Sequence, residues 1–192
     1  MKIKTKLIRI KILSILSLII LVAVCNDDEK KISGKQIQQA LFDMKGTYHG
    51  SIKVAFYHGA EIVKIDDAKA SSRDSLSFML PLAPIADIIN DKEIAATLRE
   101  VEEVEIKAEY QFLQIDNEGY SVHFGLIPEN IVIPANGTTP DITIVLSNSF
   151  GGDFEKNSNF IMFNISPVGI RAGGVQLDSF TQLVYHFRGE YE

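Results

Sequence analysis

Residues 103–112 alternate without a break. Val104, Ile106, Ala108, Tyr110 and Phe112 fall on one side, and Glu103, Glu105, Lys107, Glu109 and Gln111 on the other. A period of two sustained over ten residues describes a half-buried β-strand and spreads its apolar residues around any helix. Asp116-Asn117-Glu118-Gly119 then supplies hairpin-turn chemistry, and the chain returns through Val122, Phe124 and Leu126. The style recurs elsewhere. Tyr48, Gly50, Ile52, Val54 and Phe56 alternate with His49, Ser51, Lys53 and Tyr57, and 62–70 and 74–80 continue in the same way, with Leu76, Phe78 and Leu80 against Ser75 and Ser77. Further strands are predicted at 130–133, 141–147, 159–165 and 175–188. Such regular spacing predicts a mainly β chain built as an antiparallel β-sandwich or a barrel.

Two helical segments interrupt the strands. Ser33 is a good N-cap and Gln36 completes a capping-box pattern, with Ile37, Leu41 and Met44 on one face and Gly46 as the stop. A helical insertion is expected near 84–99. Pro84 suits a first turn, Asn90 with Glu93 resembles a capping box, and Ile94, Leu98 and Val101 repeat at helical spacing.

The start of the chain has a different character. Lys2, Lys4, Lys6, Arg9 and Lys11 precede an apolar run from Ile12 to Val24, broken only by Ser14 and Ser17, and the sole cysteine, Cys25, follows. That run is well short of the roughly 20 residues a helix needs to cross a bilayer. A basic segment, a short apolar core and a thiol at its end are the layout of a lipoprotein signal peptide. The expected organisation is a signal peptide at 1–24, a charged tether at 25–32 and one β-rich domain at 33–192. Cys25 is the expected site of lipid attachment, by palmitate or a similar acyl chain. With no second cysteine the domain has no disulfide to rely on, but 168 residues are enough to bury roughly 70% of the unfolded surface.

Charge excludes one class of partner. The whole chain carries 19 Lys and Arg against 25 Asp and Glu, but five of the cations lie in residues 1–24. From Cys25 onward 14 cationic side chains face 25 anionic ones, a net of −11. A surface this acidic repels nucleic acid and adsorbs poorly to anionic lipid through protein charge. The partners expected are therefore the membrane, through a lipid anchor, and a protein or surface polymer, with no nucleic acid.

Catalytic and metal motifs are sparse. The sequence contains no Gly-x-Ser-x-Gly elbow and no His-Glu-x-x-His helix. His49, His123 and His186 are expected on the polar faces of their strands, where neighbouring strands would bring imidazoles towards one metal ion. No two share a ligand-type spacing, and His58 sits at a turn beside Gly59. The expectation is no metal, no other cofactor and no catalytic residues. Asp66-Asp67 and Glu102-Glu103 are adjacent carboxylates expected on opposite strand faces, whereas glycoside hydrolysis needs two facing across a cleft. Without tryptophan, a sugar platform would fall to Tyr57, Tyr120 and Tyr191, since Tyr185 alternates with Leu183 and Phe187 as a core residue. The stretch Phe150-Gly151-Gly152-Asp153-Phe154, followed by Glu155 to Asn159, is expected as a loop of the length that often carries binding residues. Gly169 to Gly174 is expected as a turn.

Several short strings carry resemblances. Val22-Ala23-Val24-Cys25 resembles a lipobox, departing from the pattern at Val24, where glycine, alanine or serine is preferred, which leaves ordinary signal cleavage as an alternative. Asn26-Asp27-Asp28-Glu29 resembles the acidic export signal that sends Bacteroidetes lipoproteins to the outer face of the outer membrane. Asp74-Ser75-Leu76 is similar to their O-glycosylation sequon. Met44-Lys45-Gly46-Thr47-Tyr48-His49-Gly50, Leu80-Pro81-Leu82 and Leu183-Val184-Tyr185-His186-Phe187 resemble a group of small Bacteroides lipoproteins classed as a domain of unknown function. Gly46 and Tyr48 are similar to the glycine and aromatic that close the base of calycin-type barrels. Together these imply a lipid-anchored, surface-exposed outer-membrane protein (periplasmic face as the alternative) with a calycin-like barrel or a sandwich. They carry no activity and no binding residues. The expected function is a non-enzymatic binding or structural module. A calycin-like carrier of a small apolar ligand is the alternative, and a hydrolase the third reading.

Overall fold

A computed structural model describes residues 32–192 apart from Asn117, Thr138, Asp178 and Ser179. The signal peptide expected at 1–24, Cys25 and most of the expected tether lie outside the described residues.

Helix α1 (Gly34–Met44) begins as its sequence demands. Ser33 Oγ accepts from the Gln36 amide at 3.3 Å, and Gln36 Oε1 accepts from the Ser33 amide at 3.0 Å. Its buried face is Ala40 and Met44, with Ile37 and Leu41 half-buried. The helix ends at Lys45, so Gly46 opens the first strand instead of stopping the helix. A Cβ at Gly46 would run into the half-exposed Tyr191 ring, which would have to move aside.

Eight strands close into an antiparallel barrel: β1 (Gly46–Phe56), β2 (Glu61–Ser72), β3 (Ser75–Pro81), β4 (Glu103–Ile115), β5 (Ser121–Pro128), β8 (Gly151–Glu155), β9 (Phe160–Ile165) and β12 (Leu183–Tyr191). Each pairs with the next in this order, and β12 returns to pair with β1 along nine residues, from Tyr48↔Tyr191 to Phe56↔Leu183. The barrel is thus an up-and-down meander. Of the two all-β architectures expected from the sequence, the barrel is the one that forms.

Two excursions leave this meander from the same rim. One carries β6 (Ile131–Ile133) and β7 (Ile142–Leu146), the other β10 (Pro167–Ala172) and β11 (Val175–Gln176), and together they make a four-stranded sheet ordered β11-β10-β7-β6. At that rim β3 and β4 are joined by α2 (Ala83–Asp87) and α3 (Lys92–Val101). Ile85, Ala86, Ile94 and Leu98 of these helices share one core cluster with Ile131, Ile133, Ile142, Ile144 and Ile170 of the small sheet and with the barrel interior. Thr97 and Thr139 are hydrogen-bonded through their hydroxyls at 3.0 Å, tying α3 to the β6–β7 connection.

Several local expectations are corrected. The cap of α3 is Asp91, not Asn90: its Oδ1 accepts from the Glu93 and Ile94 amides at 3.0 and 3.1 Å. The glycine-rich stretch expected as a loop is barrel strand β8. Glycine hid the alternation there, since only Phe154 marks the inward face. Only Lys156–Ser158 beyond it forms a short turn of 3-10 helix. Gly169–Gly174 is mostly strand β10, and the turn narrows to Gly173 and Gly174, both at positive φ. The strand expected at 175–188 is two separate strands, β11 and β12. Asp66 and Asp67 do not face opposite ways. A bulge between Ile65 and Ala68, with Asp67 at φ 60°, leaves both exposed. Glu102, at φ 64°, is the switch from α3 into β4 and not a strand residue.

Candidate binding groove on the barrel wall

A closed eight-stranded barrel has an interior just wide enough to be filled by side chains or to hold one small ligand. Here side chains occupy it. Phe163 of β9 stacks on Phe187 of β12 with ring centroids 4.9 Å apart. Phe78 of β3 stands edge-on to both, at 5.4 and 5.8 Å. Strands β3 and β9 are not neighbours, so these rings meet across the interior. Tyr48 of β1 likewise reaches Phe154 of β8 at 6.5 Å, and Tyr110 meets Phe124 at 5.1 Å. Tyr48, Phe124, Phe154, Phe163, Tyr185 and Phe187 are all below 2% exposed. A Cβ at Gly189 would lie 2.7 Å from the Phe187 ring, so the absent side chain is space the ring uses.

The buried hydroxyls are all satisfied. Tyr48 donates to the Met44 carbonyl at 2.7 Å, Tyr185 to the Pro81 carbonyl at 2.9 Å and Tyr110 to the Ser72 hydroxyl at 2.7 Å. Burial raises the pKa of all three phenols. At Tyr48 nearby Tyr191 adds to the rise, and at Tyr110 the bond to Ser72 partly offsets it. Among the described residues no buried side-chain polar atom lacks a partner. These tyrosines serve as packing and as fasteners of the barrel ends.

Concave polar surface lies instead on the outer wall. A groove of about 390 Å³ crosses β1, β12, β9 and β8, and a second of about 330 Å³ continues over β5 and β4, the two sharing Asp153. Strand register explains the alignment. Ser51, Arg188, Met162, Asp153, His123 and Gln114 are successive cross-strand partners, one per strand from β1 to β4. In the neighbouring row Lys53 pairs with His186 and His186 with Asn164, and the glycines Gly151 and Gly125 face each other. Gly151, without a side chain, lines the larger groove. Adding a Cβ at Gly151 would collide with the Phe124 carbonyl oxygen, so the strand path itself requires glycine there.

The groove has defined polar contacts. His123 Nδ1 lies 2.7 Å from Asp153 Oδ1, and His186 Nδ1 lies 2.6 Å from Asn164 Oδ1. Partial burial, and secondly the Lys53 ammonium, lower the His186 pKa from 6.5. Lys53 pairs with Glu61 at 3.2 Å with both groups about half exposed. The Arg188 guanidinium lies 4.9 Å over the Phe160 ring and, among the described residues, has no carboxylate partner.

The structure separates the residues that the sequence singled out. His49 contacts Glu192 at 3.1 Å, His123 and His186 have different partners, and His58 packs on Tyr57 at the β1–β2 turn. Among the described residues no group of three or more His, Cys, Asp or Glu side chains is placed to hold a metal ion. Tyr57 lies at the rim carrying the small sheet, with Phe150 edge-on at 6.0 Å. Tyr120 and Tyr191 lie at the opposite rim, so the three do not form one platform. Phe154, offered by the sequence as a possible binding residue, is core. Ser75 is half-buried at the first position of β3. Sequence reasoning missed Arg188, Asn164, Ser51 and Met162. Alternation on β1 marked Ser51 as surface, but the strand expected at 159–165 carried no outward reading for Met162 or Asn164, and only the pairing register aligns the four.

No family model matches the chain, and no curated protein or solved structure is significantly similar to it.

Proposed function

We propose that this protein is a non-enzymatic binding module of the cell envelope, lipid-anchored through Cys25 at the outer membrane and exposed at the surface. The observation that carries the binding half of this reading is the contrast between a barrel interior packed with aromatic rings and a polar groove along the outer wall. A carrier of an apolar molecule needs lumen volume, and here Phe78, Phe163 and Phe187 take that volume. The anchor half rests on the leader and the lone thiol. Each acyl methylene in the bilayer contributes about 0.8 kcal/mol, so two or more chains hold a domain firmly where one does not. Cells expressing the full chain and fed a clickable palmitate analogue are expected to label it, and Cys25→Ser to abolish both the label and its membrane fractionation. A chain that stays unlabelled and soluble overturns the anchor. Separately, titration with a fluorescent fatty acid is expected to give no saturable binding. Saturable uptake would restore the carrier.

A further inference from the structure

We propose that the wall groove binds an acidic polysaccharide, with Arg188 and Lys53 as the contacts for its carboxylate or sulfate groups. This rests on the reading of the outer wall, not the lumen, as the binding surface. It starts from charge placed against the trend of the molecule. The chain from Cys25 has a net charge of −11, yet the larger groove is lined by Lys53, Arg188 and His186 against one carboxylate, Asp153. Asp153 is itself engaged by His123 at 2.7 Å. The next strand adds Lys64 directly across from Lys53. Like charges facing each other across a ladder are destabilising. Their own partners, Glu61 and Asp66, form exposed pairs of the kind that contribute little. An arrangement that costs stability and, among the described residues, leaves Arg188 without a carboxylate is suited to an external anion. Arginine presents its donors in a planar fork that matches carboxylate and sulfate oxygens.

Shape and chemistry select a saccharide chain over a peptide. Strands lie about 4.8 Å apart, so the row from Ser51 to Gln114 runs about 24 Å around the wall, more than a small molecule spans. A peptide would add as a strand to a free sheet edge, and the closed barrel offers none along this wall. A protein partner would need buried aromatic or aliphatic anchors. In this row only Met162, 42% exposed, is apolar. What the two grooves do offer are the hydroxyl of Ser51, the amides of Asn164 and Gln114 and the carboxylates of Asp153 and, in the smaller groove, Asp116, groups that exchange hydrogen bonds with sugar hydroxyls.

The test is affinity electrophoresis of the full chain in detergent through gels containing dextran, dextran sulfate, polygalacturonate or polyglutamate. Retardation by dextran sulfate, polygalacturonate or both is expected, the pattern naming sulfate or carboxylate as the group bound. Arg188→Ala and Lys53→Ala should each weaken it about tenfold, as loss of a hydrogen bond to a charged group does. Lys107→Ala, on β4 seven residues from Gln114 and outside the lining of both grooves, should change nothing. Circular dichroism identical to the parent shows that each variant is folded. Three results overturn the proposal: no retardation by either anionic polysaccharide, equal retardation by polyglutamate, or retardation that survives both groove variants. Retardation by neutral dextran alone overturns it too. None of these bears on the anchor or the filled lumen, which are decided by palmitate labelling and fatty-acid titration.

Discussion

At the scale of single residues, His186 is the side chain whose surroundings make the most specific demand. Its ring sits between Asn164 of β9 and Lys53 of β1, and both its partial burial and the lysine disfavour the imidazolium. The sign follows from linkage. A histidine whose pKa is lower in the folded chain binds a proton less readily when folded, so the unfolded state gains relative stability as pH falls through 6.5. This penalty is absent at pH 8 and grows from about pH 7 down to the lowered folded value. Glutamine keeps a polar group of similar reach and removes the titration. His186→Gln is therefore expected to have a flatter dependence of urea midpoint on pH between 8 and 5 than the parent. The remaining histidines are common to both proteins and cancel in the comparison. Parallel profiles would show that the folded chain accommodates the charged ring without cost. Because His186 lines the groove, bound anionic polymer should reverse the sign locally and favour protonation.

Among the elements, α3 shows where sequence reading holds and where it stops. The spacing of Ile94 and Leu98 revealed a helix, and both are buried. Its first residue was misassigned because Asn90 and Asp91 are both good caps, and only backbone geometry decides between adjacent candidates. Asp91, at φ −73° and ψ 110°, holds the extended conformation that lets its carboxylate reach two amides. Asp91→Ala should lower stability by about 1 kcal/mol and Asp91→Asn by much less, since asparagine caps nearly as well. Urea unfolding measures both, and an alanine variant as stable as the parent would mean that tertiary packing alone starts the helix. Strand β8 shows the opposite failure. Gly151 and Gly152 have no side chain to alternate, so the pattern that made β4 plain was invisible there. The groove was illegible for a related reason. Ser51, Lys53, His123 and His186 read correctly as outward-facing, but cross-strand alignment is a property of register, and register is set by non-local pairing. Arg188 and Met162 are 26 positions apart in the chain and directly opposed in the sheet.

For the molecule as a whole, charge acts on stability and on binding with opposite sign in salt. From Cys25 on, the sequence carries 25 anionic side chains against 14 cationic ones. Such an imbalance destabilises the compact state by self-repulsion. The four Lys and Arg ion pairs found among the described residues return little, because all but one have both partners about half exposed. The exception is Lys156 with Asp43, whose carboxylate side chain is only 9% exposed and fastens α1 to the β8–β9 turn. Raising ionic strength from about 0.01 to 0.15 M shortens the screening length from about 30 to 8 Å. Long-range repulsion is then suppressed, while the apolar interior is unaffected at these concentrations. The melting temperature is therefore expected to rise with sodium chloride over this range. Retention by an anionic polysaccharide should weaken over the same range, since the attraction at Arg188 and Lys53 is screened by the same ions. A protein whose melting temperature fell with salt would be held together by its surface pairs, not by its core. Affinity that ignored salt would mean the groove recognises its polymer through hydroxyl groups alone.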